Sequence, residues 1–461
     1  MIDLRIKNLS GNTRRGFLKF TSAVGAAFAL DRSEVLNVIA DSGGSALADE
    51  AACAKRNRSI HVVAGDGGFA WFQLLWPHTE IAKAQNDGFA FHAPGEAKDA
   101  SDTDRPFVFA PETPWQSMSK LRRISAYMAG QNETHDPQPT TASNVGGGIS
   151  MLAASAALNS ALPSLLPVIG VTPFNFGNAP GQPQVTTVGN PDGMVDLFNS
   201  AASKQILAAG SDAANYEAYY KAFLSLGRAA SRPTVQRQLR ITKASANFLG
   251  KNLATQLQPT DLDLARYGVD GGTPNKLRNI AYTFITAVNA FKMGLTNSVI
   301  LPAMRDDPHG AFADMNTLRS TVATLGKMFD ELMNDLQSVT DPACAGKSLA
   351  DGTVITIHGD TPKDPRDRGG WPDGTPNNSN WLYVYGAGYT KTGWFGGVRA
   401  GGGVDGFDPK TGNDVPNQAS SMTAPAANAA VLYAITQGDM VAVNQYYNGG
   451  SIAGIVNEQL I

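Results

Sequence analysis

Five short apolar runs alternate with helical patterns along this chain, and no other feature narrows the fold as much. The runs occupy residues 58–64, 166–171, 298–301, 353–357 and 381–385, and each is short enough and apolar enough to be a buried strand. Between them lie helical patterns at 118–128, at the Ala-rich 150–161, over much of 194–258, and near the end at 424–436. Two helices are sharply defined. One carries Leu277, Ile280, Ala281, Phe284, Ile285, Val288 and Phe291 in steps of three and four. The other carries Leu318, Val322, Leu325, Phe329, Leu332 and Leu336 on one continuous face. Such stripes belong to core packing rather than to a cofactor box.

Strands that alternate with helices over the whole length predict an α/β fold, with a mostly parallel central sheet covered by helices on both faces. No repeat of 20–50 residues is visible, and no linker separates two units, so residues 49–461 are expected to form one large domain. The stretch 172–193 is rich in Pro, Gly and Asn and is expected to be a loop.

The first 48 residues have a different character. Thr13-Arg14-Arg15-Gly16-Phe17-Leu18-Lys19 precedes a moderately apolar stretch, 20–30, and resembles a twin-arginine export signal. That stretch is too short to span a bilayer, and no apolar run of about 18 residues occurs elsewhere, so no transmembrane span is expected. Ala46-Leu47-Ala48 offers a small-x-small cleavage site, and Ala52-Cys53-Ala54 a second. A periplasmic or secreted protein that meets the twin-arginine export machinery is therefore expected. Lys and Arg number 37 against 40 Asp and Glu, a balance without the basic surplus that nucleic-acid binding requires. The two cysteines, Cys53 and Cys344, either pair in the oxidising compartment or remain two thiols; spacing leaves both open.

In open α/β sheets, ligands bind outside the carboxyl ends of the strands, which directs attention to the residues just after each run. Asp66 follows the first in a Gly-Asp-Gly-Gly turn. Arg305-Asp306-Asp307-Pro308-His309 follows the third, and His358-Gly359-Asp360 the fourth. Carboxylates and imidazoles are ligands for a divalent metal such as Zn, Ca or Mg. His135 and Asp136, in the polar stretch 130–144, are further candidates, and Asp373 closes an acidic, Gly-rich loop at 364–373. Each also has a plain structural reading: Asp66 as a turn residue, Asp307 as a turn starter, His309 as a helix cap. His61, inside the first strand, and His78, beside Pro77, are expected to be structural. There is no Walker loop, no H-E-x-x-H and no G-x-S-x-G elbow, and no evident nucleophile, although Thr134 and Ser143 lie in the polar stretch.

Four segments in this order carry a family resemblance: Ala64-Gly65-Asp66-Gly67-Gly68; Asp307-Pro308-His309 with the long helix after it; His358-Gly359-Asp360-Thr361-Pro362 with the acidic loop; and Gly393-Trp394-Phe395-Gly396-Gly397-Val398 with the late helix. Over about 58–440 the chain resembles uncharacterised bacterial twin-arginine-exported proteins related to the alkaline phosphatase and sulfatase superfamily. The resemblance implies a sulfatase-like sandwich and metal-assisted hydrolysis of phosphate or sulfate esters, with Asp66, Asp307 and His309 as metal ligands. The chain departs from the family where relatives tend to carry Glu-Phe-Gly-Arg-Thr, having Ile357-His358-Gly359-Asp360-Thr361 instead. Where they tend to carry Asp-His, it has Asp373-Gly374. Two functions are therefore expected to compete: an exported ester hydrolase, and a catalytically degenerate binding or assembly component of the envelope or of a secreted structure.

Overall fold

The computed structural model describes residue 53 and residues 55–63, 123–129, 143–160, 162, 164–199, 252–304, 315–342, 344–358, 381–398, 404–416, 418 and 420–458. Their elements run β1 (Arg58–Val63), β2 (Ile124–Met128), α1 (Met151–Asn159), β3 (Leu166–Val171), β4 (Thr186–Val188), α2 (Pro191–Asp196), α3 (Ala254–Leu257) and α4 (Asp261–Arg266). Next come α5 (Asn275–Lys292), β5 (Thr296–Pro302), α6 (Met315–Ser338), β6 (Thr353–His358) and β7 (Trp381–Tyr385). The last are β8 (Gly393–Phe395), β9 (Gly397–Val398), β10 (Val404–Phe407), β11 (Asp414–Pro416), α7 (Ser420–Ile435) and α8 (Met440–Val443).

Eight strands form one sheet in the order β4-β3-β5-β1-β6-β7-β2-β8, and β9 to β11 form a small antiparallel one. In the large sheet only β7 runs against its neighbours β6 and β2; all other pairs are parallel. The fold is thus α/β with a mostly parallel mixed sheet. The steps from β3 to β5 and from β5 to β6 move toward the β8 edge, and α5 and α6 on these paths pack on one face. The step from β2 to β3 moves back, and α1 lies on the other face. A single crossover hand requires that coupling of direction to face.

Alternation along each strand splits the side chains between two cores. Ile60, Val62, Val299, Leu301, Ile355 and Ile357 meet α5 and α6, where Phe284 and Phe329 sit with ring centroids 5.2 Å apart. Leu325, Leu332 and Leu336 of α6 are buried there, as the stripe predicts; the side chains of Leu318 and Val322 lie outside the described ones. Helix α5 ends at Gly294, whose φ of +68° lets Leu295 N–H reach the Ala290 carbonyl at 2.9 Å and turns the chain into β5. On the opposite face Val63, Ile300, Val354, Leu382 and Val384 pack under the Ala-rich helices α1 and α7. Small side chains allow these two helices to lie against each other and against the sheet.

The amino end of β1 is anchored several times. Cys53 is bonded to Cys344, which resolves the alternative that spacing left open. Arg58 pairs with Asp341 at 2.8 Å, both side chains only 6% exposed. The Asn57 amide donates to the Ala434 carbonyl at 2.8 Å, and its backbone N–H to the Ile435 carbonyl at 2.8 Å.

Two expectations are corrected within the described residues. The helical spacing at 118–128 ends in a strand, β2, because Ile124, Ala126 and Met128 face one core while Tyr127 faces the other. With both faces covered, every β2 residue is buried, and the pattern loses the alternation that would have marked it. Likewise 172–193 is not all loop: it holds β4 and the start of α2. Of the helical stretch 194–258, only the end of α2 and α3 fall among the described residues.

A candidate site at the carboxyl rim of the sheet

Strands β1 and β6 are neighbours, in register from Arg58↔Thr353 to Val62↔Ile357. On the face toward α5 and α6, beyond Arg58 and Thr353 at their amino ends, they present the hydrocarbon side chains Ile60, Val62, Ile355 and Ile357. The alternate residues, on the α1 side, include Val63 and Val354 and four polar ones, Ser59, His61, Thr356 and His358, all buried. A polar group buried without partners costs on the order of 1–3 kcal/mol, so these side chains must satisfy one another.

They do so in one continuous line. His61 Nδ1 lies 2.7 Å from Thr356 Oγ1, and His61 Nε2 lies 3.0 Å from Ser155 Oγ on α1. Thr356 Oγ1 is also 3.1 Å from His358 Nε2. His358 Nδ1 is 3.1 Å from Ser143 Oγ, in the turn that leads to α1. At the inner end Ser155 Oγ approaches Ser59 Oγ at 3.5 Å, Ser59 donates to Ser298 Oγ at 2.9 Å, and the Asn159 amide donates to Ser59 at 3.2 Å. The line therefore runs from the interior of the sheet to its carboxyl rim, where His358 is the last residue of β6.

Burial holds both imidazoles neutral. Desolvation, with a smaller contribution from His358, pushes His61 down to about 3, and desolvation alone pushes His358 down to about 3. Each ring accordingly carries one N–H and one lone pair at neutral pH.

Of the metal-ligand candidates read from sequence, His358 is the one the described residues include, at the predicted strand end. Asp66, Asp307, His309, Asp360, Asp373, His135, Asp136, Arg14 and Arg15 lie outside the described residues, as do Thr134 and His78. His61 is structural in the sense expected, with both nitrogens bonded. Both nitrogens of His358 are bonded too, so to ligate a metal its ring would have to release Ser143 or Thr356. Among the described residues no three His, Cys, Asp or Glu side chains gather to hold a metal ion. Sequence reasoning missed Thr356 and Ser155, and gave Ser143 no partner. A signal was present: Ser59/His61 and Thr356/His358 are polar pairs at period two inside otherwise apolar strands.

An open cleft of about 480 Å³ lies further along the same rim, past β3 and β4, lined by Thr172, Phe174, Asn175, Phe176 and Thr187 among others. Beside it, a Cβ at Gly170 would fall 2.1 Å from the Phe174 ring, so a larger residue there would displace that ring from the cleft wall.

Comparison of the chain with family models, with curated proteins and with solved structures finds no match. Among the described residues no helix is long and apolar enough to cross a membrane.

Proposed function

We propose that this chain is an exported, metal-dependent hydrolase of phosphate or sulfate esters, built on a sulfatase- or alkaline-phosphatase-like sandwich. The observation that carries this reading is the adjacency of β5, β1 and β6, three parallel strands that end on one rim. These are the strands that precede Asp66, Asp307 with His309, and Asp360. Asp66 is three positions beyond Val63, Asp307 five beyond Pro302 and Asp360 two beyond His358. At no more than about 3.5 Å per residue, covalent reach permits all of them to approach one crevice. A divalent ion held there would polarise the ester and offset the charge that develops in the transition state.

The Cys53–Cys344 bond supports the export part of the reading, since such bonds persist in oxidising compartments. Cleavage after Ala48 retains that cysteine, whereas cleavage after Ala54 removes it. The full engagement of both His358 nitrogens favours a second reading, a non-catalytic binding or assembly component of the envelope.

Metal analysis of the mature protein, joined to aryl phosphate and aryl sulfate assays, separates the two. The hydrolase reading expects bound divalent metal and turnover, both lost in Asp307→Ala/His309→Ala. Folded, metal-free, inactive protein would establish the second reading. Replacing Arg14 and Arg15 by Lys is expected to abolish export; undiminished export would remove the localisation proposal.

A further inference from the structure

We infer that the Cys53–Cys344 bond is a redox latch that closes on a finished fold: native contacts alone bring the two sulfurs together, and the bond then locks the amino end of β1. The latch lies at the opposite end of that strand from the candidate site and is independent of the hydrolase reading. Its cysteines are 291 positions apart, and an unfolded chain rarely brings such distant residues together. In the fold, each sulfur is carried by a piece of backbone that is held in place without it. On the Cys344 side, the turn between α6 and β6 closes on itself. Asp341 N–H donates to the Lys347 carbonyl at 2.8 Å, Cys344 N–H to the Asp341 carbonyl at 3.1 Å, and Lys347 N–H to the Cys344 carbonyl at 3.2 Å. On the Cys53 side, residues 56–58 are seated against the carboxyl end of α7. The Asn57 amide and backbone N–H donate to the Ala434 and Ile435 carbonyls, and its side-chain oxygen accepts from the Gln437 amide at 2.8 Å. Arg56 donates to Asp439 at 3.3 Å.

The two pieces are also joined directly. Arg58, five residues after Cys53, pairs at 2.8 Å with Asp341, three residues before Cys344. Space for the pair depends on Gly352, where a Cβ would fall 2.7 Å from Asp341 Oδ2. Both partners are nearly buried, so separating them would strand a desolvated charge. The ion pair thus ties the same two segments as the disulfide, without covalent help, and sets a high effective concentration of one thiol at the other.

Closure is an exchange with a small disulfide such as oxidised glutathione. Cys53 is exposed whereas Cys344 is only 7% exposed, and this difference sets the order of attack. The Cys53 thiolate attacks one glutathione sulfur, breaks that S–S bond and expels a glutathione thiolate. Cys344 then gives its proton to solvent, and its thiolate attacks the Cys53 sulfur and expels the second glutathione. The two protein sulfurs lose two electrons and the glutathione disulfide gains them. A chain built this way folds in a reducing compartment and is locked in an oxidising one.

The test refolds the protein with the bond open. Protein unfolded in urea and reduced by a phosphine is diluted out of urea with the phosphine still present. The expected product has the circular dichroism of the oxidised protein and unfolds cooperatively, at a lower urea midpoint. Once the phosphine is removed, oxidised glutathione should close the bond at least about tenfold faster in the refolded protein than in urea, followed by mass spectrometry. In single-thiol variants, Cys53 in Cys344→Ala should take up glutathione faster than Cys344 does in Cys53→Ala. Reduced protein that fails to regain the native spectrum overturns the latch, as does closure no faster in the folded state than in urea. A midpoint equal to that of the oxidised protein would show that the bond locks nothing, and faster uptake at Cys344 would overturn the order of attack.

Discussion

The two faces of the central sheet are built from the same strands by alternate residues, and they solve different problems. Toward α5 and α6, beyond the Arg58–Asp341 pair at its amino end, β1 and β6 offer Ile60, Val62, Ile355 and Ile357, a surface held by burial. Toward α1 they offer Ser59, His61, Thr356 and His358, a surface held by a line of hydrogen bonds. Hydrocarbon packing tolerates any partner of suitable volume, whereas the polar line requires each member to be present and correctly protonated. Comparable polar networks are not needed for stability, because apolar side chains of similar shape are often as good. The difference teaches that the α1 face carries a continuous line of hydrogen bonds as well as a core.

The comparison breaks most visibly on the apolar side. Phe284→Ala, at the contact with Phe329, is expected to cost about 3–5 kcal/mol by urea denaturation, through lost burial and a cavity. A cost near zero would mean that this face is not the tightly packed one.

On the polar side a single deletion should cost more than a coordinated one. His61→Leu leaves Thr356 and Ser155 without their partner and is expected to destabilise by about 2–3 kcal/mol. The quadruple change His61→Leu/Thr356→Val/Ser155→Ala/His358→Leu removes the orphaned groups along with their partners and should recover part of that loss. If that variant is worse than the sum of its parts, apolar packing has no room on this face.

Acid sharpens the contrast, because the polar face carries two buried, neutral imidazoles. Both histidines are lowered to about 3 in the fold against an ordinary 6.5, so below pH 6.5 the unfolded chain binds protons that the folded chain refuses. Their neutral burial is compatible with full stability above pH 6.5, and stability is lost progressively as pH falls from about 6.5 toward 3. The slope is on the order of 1 kcal/mol per pH unit for each imidazole. Urea midpoints measured between pH 7 and 4.5 should fall less steeply in His61→Leu than in wild type; equal slopes would contradict buried neutral rings.

The smallest effect belongs to Thr356→Ser, which keeps the hydroxyl between the two rings and is expected to change stability by less than about 1 kcal/mol. Thr356→Val, equal in size but without the hydroxyl, should cost more.

How far the sequence leads differs between elements for a physical reason in each. The stripes of α5 and α6 were legible because a helix buried on one side repeats every three to four residues and exposes the rest. Strand β2 was not, since a strand buried on both faces has no exposed face to mark its period. The polar line was half legible: the pairs Ser59/His61 and Thr356/His358 stand out at period two, but nothing local says that they face each other. The cysteine pair could not be assigned, because residues 291 positions apart have no local signature of contact.

By itself, then, the sequence determined the class of fold, its mostly parallel sheet and the strand end that carries His358, since these follow from periodicity within a single segment. The order β5-β1-β6, the meeting of Ser143 with His358 and the bond between Cys53 and Cys344 were decided only by the tertiary structure. Each joins segments distant along the chain, and such contacts depend on which strands become neighbours and on which face each helix crosses, neither of which any local pattern encodes.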